Sequence, residues 1–200
     1  MKKFLFALLT VVALSGCSTR SEIKEEIVDL SAFAVMQEAM NMSFNDLTYL
    51  GDIMNNPTRT CSDEEIVEAF NNIKDVVLPY AEAALENSGL SETDMLEIFT
   101  ECEASLETYE ANLVSISMLI GMSQTSSTRG ETWDDITDCF IKATGLAAGV
   151  ELVGVLSAKT MSKTVIKSVL KVITKETLKK AVPGIGLGII LVETVHCSLT

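Results

Sequence analysis

The stretch "KTMSKTVIKSVLKVITKETLKK", residues 159–180, places lysine at 159, 163, 167, 171, 175 and 179, one every fourth residue. A helix turns about 100° per residue, so positions four apart stay close to one line on its surface. Met161, Val165, Val169 and Ile173 then make an apolar stripe, with Lys163, Lys167, Lys171 and Lys175 nearly opposite. The stretch predicts an amphipathic helix with a cationic face. Three roles fit such a face: a solvated surface, docking onto the acidic N-terminal half, or contact with anionic lipid, where each lysine contributes on the order of 1 kcal/mol.

The same helical period runs through most of the chain. Ile23, Ile27, Leu30, Ala34, Leu47, Leu50 and Met54 predict helix over 22–55, ending before Pro57. Ser62 and Glu65 form a capping-box pattern, in which the serine accepts from the N3 amide and the glutamate reaches back to the cap. A helix should begin at 63, bend at Pro79 and end at Gly89. Ser91 is the expected cap of a third helix, with Glu92 and Asp94 in its first turn, running to about residue 122. A fourth opens at Thr132, the lysine stretch is the fifth, and "GIGLGIILVETVHC" (184–197) is the sixth. No strand is expected. The fold class is all-α, a bundle of about six helices in two subdomains divided near residue 130.

Charge divides the chain at a similar place. Residues 17–139 carry 25 acidic side chains against five basic ones, whereas residues 140–200 carry eight lysines against three glutamates. The halves have opposite sign within an overall net charge of −13. Such opposition can bring the halves together or steer them to different partners. It gives no support to nucleic-acid binding.

The N-terminus has Lys2 and Lys3, an apolar run from Phe4 to about Ala13, and small residues before Cys17, the pattern of a secretion signal. The stretch "LSGC", Leu14 to Cys17, resembles the lipobox of bacterial lipoproteins. That resemblance implies cleavage before Cys17, acylation of Cys17 and anchoring to a membrane of the cell envelope. Ser18, in place of aspartate, implies the outer membrane in a proteobacterial envelope. Expected boundaries are a signal at 1–16, a lipidated tether at 17–21, an acidic helical unit at 22–124, a linker at 125–131 and a glycine-rich, basic unit at 132–200.

Four further cysteines, Cys61, Cys102, Cys139 and Cys197, read as two disulfides in an oxidising envelope. Cys139–Cys197 would close the C-terminal unit and Cys61–Cys102 would tie the N-terminal helices. A metal site is not expected, since no CxxC occurs and His196 is the only histidine. No nucleophile motif, P-loop or dinucleotide fingerprint is present either. The methionines at 36, 40, 42 and 54 read as helical core rather than soft-metal ligands. No enzyme activity and no cofactor is expected.

Gly145/Gly149 and Gly184/Gly188 form two GxxxG pairs, a spacing that lets helix backbones approach closely. Two apolar, glycine-containing segments around a cationic helix resemble, over residues 139–199, helical membrane-active bacteriocins. Two functions follow as expectations. One is a non-enzymatic envelope lipoprotein that binds another envelope protein or organises the envelope. The other is a membrane-active, bacteriocin-like effector whose basic helices are masked by the acidic half.

Overall fold

The computed structural model describes residues 25–55, 62–125, 138–139, 142–143, 154–181, 184–188, 192–194 and 197. Its centre is a helix that the sequence writes without a single charge from Ala111 to Ser123, and every residue of that run is buried. This helix spans Tyr109–Thr125 and becomes α5 in chain order. Before it come a short strand β1 (Ile27–Asp29), a 3-10 helix (Leu30–Val35), α1 (Met36–Met42), α2 (Phe44–Asn55), α3 (Asp63–Ser88) and α4 (Glu92–Glu101). After it come a strand β2 (Thr160–Ser162), α6 (Lys163–Thr177) and a 3-10 turn (Leu178–Lys180). The all-α reading holds apart from one two-stranded antiparallel ribbon.

Local signals were decisive at α3 and α4. Ser62 caps α3 with a complete capping box to Glu65, and Gly89 ends the helix at φ 85°, the left-handed region that glycine enters at little cost. Ser91 caps α4, with Asp94 completing a second box. Pro79 lies inside α3, which continues past it to Ser88.

Elsewhere tertiary pairing overrides the helical period. The helix expected over 22–55 is, from residue 25 on, a strand, a 3-10 helix and two α-helices. Ile27, Val28 and Asp29 pair with Ser162, Met161 and Thr160, and the Lys159 carbonyl accepts from the Leu30 and Ser31 amides at 2.8 and 3.3 Å. That pairing also moves the start of the lysine helix from 159 to 163. The single helix expected over 91–122 is broken after Cys102, where Glu103 adopts φ 61° and Ser105 starts a new 3-10 turn (Leu106–Thr108) by accepting from the Glu107 amide.

Residues on both sides of position 130 share one apolar core. Phe33 and Met36, Phe70 and Ile73 of α3, Phe99 of α4, Leu113 of α5 and Ile166 and Leu170 of α6 belong to the same buried cluster. Polar side chains of α5 fasten the later segments to it. Gln124 donates to the carbonyls of Leu156 and Ala158 at 2.6 and 3.1 Å, and the fully buried Asn112 accepts from the Leu187 amide at 2.9 Å. Gly121 lets the first helices close on α5, since a Cβ there would stand 2.5 Å from Met36 Cβ. Among the described residues, both expected units therefore contribute to one buried cluster.

Candidate functional site

The lysine helix meets α4, and its charges are used there. Lys163 Nζ lies 2.8 Å from Asp94 and 2.9 Å from Glu26; Lys167 Nζ lies 3.2 Å from Asp94 and 2.6 Å from Glu97. Lys171 Nζ is 2.7 Å from Glu101 and 3.7 Å from Glu97. Acids at i, i+3 and i+7 on α4 thus face lysines at i, i+4 and i+8 on α6. Residue numbers rise together along both sides, so the two helices run parallel. The docking role among the three open for this face is the one that these side chains adopt.

The buried face of α6 explains why the lysines stand there. It consists of Ile166, Val169, Leu170, Ile173, Thr174 and Thr177, while Val165 is 45 % exposed. The apolar stripe is therefore centred about one residue later than the one drawn through Met161 and Val165. The rotation brings Lys163, Lys167 and Lys171 to the edge of the core, beside α4, instead of opposite it.

Asp94 is the innermost member, 8 % exposed. Burial pushes its carboxyl up, but hydrogen bonds from Lys163, the Ser91 amide and hydroxyl, and Lys167 outweigh this and hold it well below the usual carboxylate range. Glu97 is lowered chiefly by its hydrogen bond from Lys167. Lys163 is raised, first by Asp94 and then by Glu26, and Lys167 is raised, first by Glu97. Sequence reasoning placed Asp94 in the first turn of α4 but did not pair it with the lysines, and it did not name Glu97 and Glu101. Their signal was present in the i, i+3, i+7 spacing of carboxylates next to a capping serine.

The remaining lysines differ. Lys159 and Lys175 are exposed, and Lys179 pairs with Glu176 on its own turn. Of the glycines expected to allow close packing, Gly188 lies against the Phe70 ring with no room for a side chain, which fits that role. Gly184 instead occupies a left-handed turn at φ 85° beside Val67. Gly145 and Gly149 lie outside the described residues.

Cys139 and Cys197 form a disulfide, with Cα atoms 5.6 Å apart. Cys102 corrects the second expected bridge: it is a free thiol, buried at the end of α4, and it donates to the Lys171 carbonyl at 3.4 Å. It caps α4 against α6, and burial pushes the thiol up from its ordinary value. Cys61 lies outside the described residues. Met36 and Met40 are core residues, as the helical period implied, whereas Met42 is 51 % exposed.

Tyr109, at the start of α5, was not singled out from the sequence. Its ring meets Phe99 edge-on at 5.6 Å, and its buried hydroxyl has no hydrogen-bond partner. Burial pushes the phenol up to about 12, with Glu92 and Glu82 adding to the shift. It is a packing residue.

Residues 1–18 match the family pattern of the prokaryotic membrane lipoprotein lipid attachment site. The chain carries a lipoprotein anchor. Cys17 is the only cysteine within that match, so the anchor links the chain to a membrane of the cell envelope through this residue. Cys17 itself lies outside the described residues. No curated protein and no solved structure matches the lipoprotein's sequence or fold. Among the described residues, no helix is long and apolar enough to cross a membrane.

Proposed function

We propose that this lipoprotein is a non-enzymatic helical module that binds another envelope protein, held at the outer membrane by the acyl chains on Cys17. The observation that carries the proposal is the ladder of ion pairs by which Lys163, Lys167 and Lys171 of α6 meet Asp94, Glu97 and Glu101 of α4. Its three lysines are neutralised within the fold, so the surface left to solvent by α1 to α4 is acidic. Along those helices the only described cation is Lys74, and it pairs with Glu110 at 2.9 Å. A surface of that sign is repelled by anionic lipid and suits a basic protein partner. Crosslinking in intact cells followed by pull-down of the lipidated chain tests this. A specific envelope partner is expected, and the absence of any would contradict it.

The ladder also favours one competing reading, the masked membrane-active effector, because Asp94, Glu97 and Glu101 are what a mask would consist of. Against it stands the core: Ile166, Leu170 and Ile173 are buried with residues of α3 and α5, so exposing them opens the molecule. The two readings separate on the triple variant Asp94→Asn, Glu97→Gln, Glu101→Gln mixed with anionic vesicles. Our proposal predicts no dye release. The competing one predicts release that salt weakens.

A further inference from the structure

The solvent side of α3 carries a line of carboxylates. At about 100° per residue, Glu64, Glu68, Asp75, Glu82 and Glu86 all project within about 20° of one direction. From Glu64 to Glu86 the line follows the helix for about 33 Å at about 1.5 Å per residue. All five side chains are exposed. Asp75 approaches Lys74 at 3.9 Å, and among the described residues the other four have no cationic partner.

Between this acidic line and the core face of α3 runs a second, apolar line. Val76, Pro79, Tyr80 and Ala83 are spaced i, i+3, i+4 and i+7, and Val76 is 37 % exposed. The line is widened from the neighbouring helix by Met42 of α1, 51 % exposed, whose sulfur accepts from the Tyr80 hydroxyl at 3.8 Å. An apolar strip beside a carboxylate row is also what α4 presents to α6. On α4 the chain fills that arrangement with its own lysine helix, and on α3 no element among the described residues fills it.

Resting on the reading above that the chain binds an envelope protein, we infer that this face of α3, with Met42, is the docking surface for a basic amphipathic helix of the partner. Apolar side chains of that helix would cover Val76, Tyr80 and Met42, while its lysines or arginines would meet Glu68, Asp75, Glu82 and Glu86. Charge complementarity selects the occupant. An anionic membrane would face the carboxylate row with like charge, and a second copy would bring the same acidic face.

The test uses the full lipidated chain in nanodiscs of zwitterionic lipid, titrated calorimetrically with an amphipathic helical peptide of Leu and Lys and with its Leu/Glu counterpart. The Leu/Lys peptide is expected to bind, the Leu/Glu peptide not, and salt should weaken the binding. Combined Glu68→Gln, Asp75→Asn, Glu82→Gln and Glu86→Gln should weaken it at least about tenfold. A second variant, Glu68→Lys with Glu82→Lys and Glu86→Lys, should reverse the preference between the peptides, which a misfolded chain would not do. Equal affinity of the neutralised and unchanged chains would overturn the inference, as would preference for anionic vesicles over the peptide. In cells, a partner crosslinked only at other faces would overturn this surface and leave the proposed function standing, whereas no partner at any face would remove both.

Discussion

Asp94 accepts from four donors: the Ser91 amide and hydroxyl and the ammonium groups of Lys163 and Lys167. One side chain thus caps α4 and holds α6 to it. Its pH dependence follows from the lowered carboxyl. The unfolded chain takes up a proton near pH 4, before the folded chain does. The contribution of Asp94 is therefore intact above about pH 4 and lost as pH falls from there toward the folded value. At neutral pH, Asp94→Asn should cost on the order of 2 kcal/mol, because two ammonium groups lose a charged acceptor. Urea midpoints measured from neutral to acid pH should fall less steeply below about pH 4 in that variant than in the unchanged chain.

At the scale of elements, what was legible in the sequence was local. Ser62, Glu65, Gly89 and Ser91 set the ends of α3 and α4 through neighbours at most three residues away, and all four positions follow the expectation. The ribbon of β1 and β2 was not legible, because Val28 meets Met161 only after the chain has folded. Nor was the break at Glu103, where the pattern of α4 runs on but the next residue after Cys102 adopts φ 61° while the Cys102 thiol donates to the Lys171 carbonyl of α6. The cysteines divide likewise: Cys139–Cys197 is as expected, whereas Cys102 is taken by packing. In the native chain Cys102 should react with alkylating reagents only on unfolding, since burial both covers it and raises its thiol. Native and denatured labelling with peptide mapping checks this. Reducing Cys139–Cys197, which are 58 residues apart, should cost roughly 4 kcal/mol on the loop-entropy account, read as a lower melting temperature.

At the scale of the molecule, the two segments of opposite charge are complementary parts of one body. Composition revealed the opposition but not its use, since a count of charges does not say which carboxylates the lysines reach. Sharing of one core by α3, α5 and α6 means that residues 130–200 alone lack the surface that α6 buries. That fragment should show little cooperative melting by circular dichroism, and independent folding would contradict a shared core. Lys163, Lys167 and Lys171 hold α6 to α4 through their ion pairs with Asp94, Glu97 and Glu101. The most direct test is a double-mutant cycle on Asp94→Asn and Lys163→Met, followed by urea unfolding at neutral pH. A coupling of about 1–3 kcal/mol is predicted, with the double variant less destabilised than the sum of the singles. Additivity within about 0.3–0.5 kcal/mol would mean that the two charges do not hold the helices together.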